Sequence, residues 1–515
     1  MTVKKKTGSV GLYIFWFATI IALFGCGYYL YTVVSGMPII PQKYIEYLVY
    51  GLLGLGALTL LVALLAIRSR GAKVFQSVMC LLLAGAMVYG SLEIPKFQGT
   101  FERMWTVIPE EGEMNINVYV AASSPIRKLD DLLDKKVAIV KGIDEDYQDY
   151  ALKVISNELG GKTLTTSEYE DIYAAAEALN NGETEALLLN QSYAEILGDN
   201  VEFTDFNEKN RILYTCIQKI KLDFDTTAVG DITTSPFVIM VGGRDDWGYT
   251  RINKTTSAGR TDTNMLMVVN PKTKQLLVVT IPRDSYVALD GNKKKMDKLT
   301  HATVYSLNTW LKSVSSFLDV DINYFLRINF SSFINVVDAI GGIDVVNPSY
   351  FKTTYNPHYT IDGQVVVKNY EFPEGPLHLD GRMALCFVRE RHYGNQGDLG
   401  RNKRQAIAIK AIIDKVTTVE QITHFADLMK AVEGTFFTDI NVNQIYALAQ
   451  MQLNDMATWD IVSYSLSGKS EKATSYAMGT GNGPIFDVVK ISDSSLQKAQ
   501  DLIAKVLNNE KVTVE

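Results

Sequence analysis

Cysteine is scarce: the chain holds four, and no Cys-x-x-Cys pair or zinc-type Cys/His spacing occurs among them. A disulfide framework and a structural zinc centre are therefore excluded as sources of stability. Cys26 and Cys80 fall in apolar runs, which leaves Cys216 and Cys386; their long separation favours two buried thiols over one bridge. The five histidines are scattered and form no metal cluster. Positive charge is in deficit, with a formal balance of -7, and no basic recognition helix is visible, so nucleic acid is a disfavoured partner. No internal repeat and no low-complexity segment is present.

Apolar length is plentiful near the start of the chain. Ser9 to Ser35 carries no charge, Tyr44 to Ile67 carries only Glu46, and Val74 to Leu92 carries none. Each run is long enough to cross a hydrocarbon layer as a helix of about 20 residues. No small-residue cleavage site follows the first run, so three retained spans within residues 1–95 are expected rather than a signal peptide. Lys4, Lys5 and Lys6 precede the first span, and Arg68, Arg70 and Lys73 lie between the second and third. The positive-inside rule then places the N-terminus in the cytoplasm and everything after Leu92 outside, in a multi-pass protein of the cell membrane.

The remaining chain is long enough for two folded domains. Residues 103–231 alternate short strands with helical runs, as in "NINVYVA", "KKVAIVKG" and "YQDYALKVISNELG", which predicts a small α/β accessory domain. It resembles a half-lobe of extracytoplasmic solute-binding proteins, although no residue in it declares a ligand. Residues 235–515 begin with "TTSPFVIMVGGRDDWG", an apolar strand leading into a Gly-rich acidic loop. "NMLMVVN" and "QLLVVTI" flank "PKTK" as the arms of a hairpin, which would carry "RTD" (260–262) beside "PRD" (282–284). Helices packed on mixed sheets are expected in both exterior domains, so the fold class is a membrane-anchored α/β protein.

Against the acidic balance, "FVRERHYGNQGDLGRNKRQ" (387–405) concentrates cations. Alternation reads "FVRER" as a strand with Arg389 and Arg391 on one face. Arg401 and Gln405, four apart, share a helix face near its N-terminus, where free N–H groups favour anions. A charge run is most often a solvated face, but Arg260, Arg283, Arg389 and Arg391 come from separate segments at strand ends, interleaved with acids. Guanidiniums suit bidentate contact with phosphate, and a cluster of them needs an anion. Asp245, Asp262 and Asp398 would either orient these arginines or hold Mg²⁺ against phosphate oxygens.

"GRTDTNMLMVVN", "TIPRDSYV", "DKLTHA", "NYFLRINFSSFINVVDAIGGIDV" and "FVRERHYGNQGDLGRNKRQ" resemble the successive motifs of the LytR-CpsA-Psr family. Three spans plus an accessory domain resemble its CpsA-type members, linked to streptococcal capsule synthesis. The resemblance implies an α/β sandwich with a mixed central sheet and an apolar pocket for a polyprenyl chain. It also implies a phosphotransferase that moves a glycopolymer from an undecaprenyl diphosphate carrier to peptidoglycan, with diphosphate hydrolysis as a side activity. Carried over by motif, Arg260, Arg283, Arg389, Arg391, Arg401 and Gln405 would bind the diphosphate, with Lys298 as a further candidate. Asp245 and Asp262 would hold Mg²⁺ or Mn²⁺, and Asp398 would orient the arginines. "GGRDDWG" offers Asp246 beside Asp245 at the first acidic position. Asp262 is the nearest candidate for a general base, although its role as a metal ligand is favoured. The rival expectation is a non-catalytic, polyprenyl-phosphate-binding regulator or scaffold that meets capsule assembly proteins.

Overall fold

The computed structural model describes residues 7–104, 111–198, 200–221, 224–244, 260–290, 295–353, 359–361, 364–366, 369–394, 397–418, 437–475 and 485–514. The described chain forms two compact units.

One unit contains the helices Thr7–Ser35, Gln42–Ala66 and Arg70–Met104 together with the helix Val442–Asp455. Within the first three, Val10–Ser35, Gln42–Ala66 and Arg70–Ile94 are long and apolar enough to cross a membrane, with mean hydropathies of 2.0, 2.4 and 1.7. A polar tie runs through all three. Trp16 Nε1 donates to Gln76 Oε1 at 2.8 Å, and Gln76 Nε2 donates to the Thr59 carbonyl at 2.8 Å. In hydrocarbon such side-chain bonds fix the pairing of helices that apolar contact alone would leave free to slide. Helix Val442–Asp455 is capped by Asn441 and bonds the first turn of the second span: Lys43 Nζ donates to the Asn454 carbonyl at 2.6 Å and the Tyr44 hydroxyl to that of Leu453 at 3.1 Å.

The other unit holds both α/β parts. Residues 111–221 form a five-stranded mixed sheet in the order Thr165–Tyr169, Lys136–Val140, Ala186–Asn190, Glu111–Ala121, Asn210–Lys221. Ala186–Asn190 is buried at every position, which is why "ALLLN" reads as an unbroken apolar run. Helices Glu145–Glu158, Ile172–Asn180 and Gln191–Leu197 connect these strands, as the alternating pattern predicts.

A second, six-stranded mixed sheet runs Phe437–Thr438, Tyr324–Asn329, Phe237–Arg244, Thr261–Asn270, Gln275–Ile281, Asp460–Ser465. Its strands alternate between two cores. Leu266, Val268, Leu277 and Val279 face Trp310, Leu311 and Val314 of helix Leu307–Leu318 and Leu502, Ile503 and Val506 of helix Asp493–Leu507. Met265, Leu276 and Val278 face Ile409 and Ile413 of helix Gly397–Val416. The result is an α/β sandwich with a helical layer on each face of the sheet. The apolar residues of "VYSLNTWLKSVSSFL" accordingly serve as ordinary core.

The expected hairpin is present: Asn270 pairs with Gln275 and Asn264 with Ile281. Asn270 closes the turn, its side-chain carbonyl accepting from Lys272 N–H at 3.0 Å and Thr273 N–H at 3.1 Å. Gly242 and Gly243 belong to the Phe237–Arg244 strand rather than to a loop, and a Cβ on Gly242 would stand 2.8 Å from the Trp310 ring.

The reading of "FVRER" as a strand is corrected. Gly381–Arg389 is a helix whose first turn is capped by Asp380, which accepts from Met383 N–H at 2.8 Å. Gly381, Ala384, Leu385 and Val388 are buried at helical spacing, with Cys386 and Phe387 buried beside them, and that longer period overrides a five-residue alternation. Arg389 therefore ends a helix, and Arg391 lies beyond it. Cys216 and Cys386 are separate buried thiols, pushed up by burial to about 11 and about 12 respectively, so neither is a ready nucleophile.

Candidate active site

One row of register crosses four strands of the larger sheet: Arg327 pairs with Gly242, Gly242 with Asn264, and Asn264 with Ile281. The candidate residues gather just beyond this row. Three of the four strands end there at their carboxyl termini, the edge at which open α/β sheets bind ligands. A bulge shapes the edge. Gly243 pairs with Thr263 and Arg244 with Thr261, which leaves Asp262 without a register partner. A bulge of this kind re-aims the extra residue, here toward the neighbouring hairpin arm.

Asp262 meets Arg283, with Nη1 to Oδ1 at 2.6 Å, while Arg283 Nε lies 3.4 Å from Asp284 Oδ2. Lys298 Nζ completes the chain 3.3 Å from Asp284 Oδ1. These four side chains are each less than one fifth exposed, so their charges act in a partly dehydrated setting where ion pairs are strong. Burial pushes the Asp284 carboxyl up, but the Arg283 guanidinium and the Lys298 ammonium outweigh it and hold it below its ordinary value of 3.8. A depressed carboxyl contributes stability that is present above its unfolded value and lost as the pH falls through its folded one. The stability advantage of wild type over Asp284→Asn is therefore expected to be greatest above pH 3.8 and to close below it. Urea melts of both proteins from about pH 3 to about pH 7 check this, and a gap independent of pH overturns it.

The remaining cations arrive from two other segments. Phe330 follows the Tyr324–Asn329 strand directly, and the Arg389 guanidinium stacks 3.8 Å from its ring centroid. Gln405 Nε2 donates to Thr263 Oγ1 at 3.2 Å, which brings helix Gly397–Val416 against the strand that carries Asp262. Arg401, one turn earlier on that helix, is buried. Arg260 is half-buried two residues before Asp262. Arg391 is exposed, with Nε 3.1 Å from His392 Nε2. Asp398 lies in the first turn of the Gly397–Val416 helix, but its side chain is outside the described residues, as are Asp245 and Asp246. The structure thus brings Asp262, Arg283, Arg389 and Gln405 to one sheet edge, and leaves Arg391 at the surface.

The description "LytR_cpsA_psr family" belongs to the family model that matches residues 189–491, more than half of the chain. The chain belongs to the LytR_cpsA_psr family. A Bacillus licheniformis relative, the polyisoprenyl-teichoic acid–peptidoglycan teichoic acid transferase TagU, is 33% identical over 277 residues, covering 53% of this chain and 78% of the relative. The protein of the same name from Bacillus subtilis is 32% identical over 265 residues, 51% of this chain and 79% of its own. The crystal structure of B. subtilis TagU has 29% identity and a TM-score of 0.38, and the match covers 55% of this chain and all of that one.

In this family member several buried polar residues support the edge without having stood out in the sequence. Arg404 is buried, donates from Nε to the Phe387 carbonyl at 3.1 Å and from Nη2 to that of Glu390, and stacks 4.6 Å from the Phe351 ring centroid. It ties the end of the Gly381–Arg389 helix to the next helix and so fixes where Arg389 emerges. Burial lowers its pKa to about 10, which leaves it charged at neutral pH. Its spacing of three from Arg401 was the available signal, since both fall on one helix face. Asp297 accepts from Lys298 N–H at 2.7 Å and lies 3.0 Å from His301 Nδ1, both acid and imidazole being buried; "DKLTHA" holds this pair at i, i+4.

Proposed function

We propose that the protein transfers a glycopolymer, a capsular polysaccharide, from a polyprenyl diphosphate carrier in the membrane to peptidoglycan. The observation that carries this reading is the Asp262–Arg283–Asp284–Lys298 array at a sheet edge that also receives Arg389 and Gln405. Cations held in fixed orientation by acids suit a diphosphate, and family membership and the names of the relatives agree with such a donor. An acceptor hydroxyl attacks the sugar-side phosphorus, the bond from that phosphorus to the bridging oxygen breaks, and polyprenyl phosphate leaves while the hydroxyl proton passes to solvent. Arg283 and Arg389 bind the phosphate oxygens, and Arg260 and Arg401 add positive charge around them. Neutralising charge in the transition state and aligning the two oxygens account for most of the acceleration in phosphoryl transfer. Water in place of the acceptor gives diphosphate hydrolysis as a side reaction.

Among the described residues no group of three or more acidic, cysteine or histidine side chains could hold a metal ion. Mg²⁺ needs less, since one or two carboxylates plus substrate phosphates commonly suffice. Asp262 at the sheet edge fits that requirement, with Asp245 as the second ligand; the bound ion would supply further neutralisation of phosphate charge. The membrane spans serve the same chemistry by keeping the protein beside a lipid-borne donor. The bonds of Lys43 and Tyr44 to helix Val442–Asp455 put that helix on the side of the loop between the first two spans, and the distribution of lysine and arginine makes that side external.

The test is incubation of the purified full-length protein in detergent with lipid-linked glycan diphosphate, peptidoglycan and Mg²⁺. Release of lipid phosphate together with glycan on peptidoglycan is expected. Tight binding of the lipid without release overturns the enzyme in favour of the scaffold, and equal release in chelator removes the ion from the proposal.

A further inference from the structure

The core of the smaller α/β part extends past its own sheet. Tyr119, Ile172, Tyr173, Phe203 and Phe206 share one cluster with Val304, Phe486 and Val488 of the larger part. Phe486 occupies the junction. Its ring centroid lies 6.2 Å from that of Tyr173 and 5.9 Å from that of His301, the latter pair edge-on. Lys298 Nζ stands 5.0 Å from the same centroid, within the range of a cation–π contact. That ammonium is the one paired with Asp284, which in turn meets Arg283. The backbone repeats the connection: Val489 N–H donates to the Asp284 carbonyl at 2.8 Å, and Ser285 bridges Val489 in parallel.

We propose that Phe486 is a positioning residue through which the accessory domain sets the diphosphate arm. Its ring face seats Lys298 against Asp284, and Asp284 then holds Arg283 in its aim. The proposal rests on the reading of the site given above. Its specific content is the aromatic face. A leucine would bury a similar apolar volume against Tyr173 yet offer no negative quadrupole to the ammonium, whereas a tyrosine would keep the ring. A purely structural Phe486 would make leucine the milder change; a positioning Phe486 makes tyrosine the milder one.

The experiment compares full-length wild type with Phe486→Leu, Phe486→Tyr and Tyr173→Ala. Acylation of Lys298 by an amine-reactive ester, followed by mass spectrometry, reports how firmly the ammonium is seated, and melting temperatures report the fold. We expect Lys298 to be acylated about fivefold faster in Phe486→Leu, to stay near wild type in Phe486→Tyr, and to rise in Tyr173→Ala as the ring loses its backing. With the lipid-linked donor, KM should rise by a similar factor in Phe486→Leu while kcat changes less. Equal Lys298 reactivity in the leucine and tyrosine variants overturns the role of the ring, and an unchanged rate in Tyr173→Ala overturns the link to the accessory domain. Should Phe486→Leu fail to fold, Phe486→Met supplies the same contrast. A wild type that neither binds nor turns over the donor would defeat the proposed function, while the acylation comparison would still decide this inference.

Discussion

Replacing Arg283 by lysine is expected to lower kcat/KM for the lipid-linked donor by about 10²–10³-fold while leaving the protein folded. Charge is conserved in this substitution, so the loss isolates geometry. Arg283 reaches Asp262 through Nη1 and Asp284 through Nε at the same time, and a single ammonium cannot reproduce that fork or present a planar pair of donors to phosphate. Asp284 would retain Lys298, which limits the loss of stability to about 1–3 kcal/mol for the carboxylate left poorly paired. Arg391→Ala provides the contrast. Its side chain is exposed, and a loss of less than about tenfold is expected, the share of a peripheral charge acting through solvent. Donor kinetics on both variants, with melting curves, check the pair. If Arg283→Lys keeps a third of wild-type activity, or if Arg391→Ala is the more damaging of the two, the assignment of Arg283 as the central phosphate ligand fails.

The contrast between Arg283 and Arg391 also shows what could be read from the sequence. A hairpin is a local object, with residues equidistant from "PKTK" forced together, so the approach of Asp262 to Arg283 follows from counting alone. The spans follow from apolar length, and the accessory sheet from its alternating pattern. "FVRER" misled because five residues fit either period, and Asp380 upstream with the buried positions Gly381, Ala384, Leu385 and Val388 decides for a helix. With that correction Arg389 and Arg391 no longer share a face. Arg389 finds Phe330, more than fifty positions earlier, and no local pattern announces such a partner. The bulge at Asp262 and the seat of Lys298 on Phe486 are likewise products of long-range packing. Local periodicity thus yielded which segments carry charge, while the packing of distant elements selected which charges converge.

Trp310→Ala is expected to cost about 3–5 kcal/mol, enough to unfold a marginal domain at physiological temperature. The indole is fully buried between the sheet and helix Leu307–Leu318, and its Nε1 donates to Asn264 Oδ1 at 2.7 Å. Asn264 belongs to the register row that borders the site, two positions from Asp262, so the same change should loosen the edge that holds Asp262 against Arg283. Trp310→Phe separates the two effects: most of the volume stays, only the hydrogen bond goes, and a loss of about 1–3 kcal/mol is expected. Gly242 supplies the decisive cross-check. A Cβ there would lie 2.8 and 2.9 Å from the indole carbons, so Gly242→Ala overpacks the wild-type core and should cost about 1–3 kcal/mol. In the Trp310→Ala background those carbons are gone, and the nearest of the remaining neighbours is the Thr261 methyl at 3.1 Å, which needs to give by a few tenths of an ångström. The penalty of Gly242→Ala should therefore shrink in that background, and the double mutant should be less destabilised than the two single changes added together. Chemical denaturation of the four proteins measures the coupling. Strict additivity would mean that Gly242 does not make room for Trp310, and that the glycine pair at this strand end answers to some other constraint.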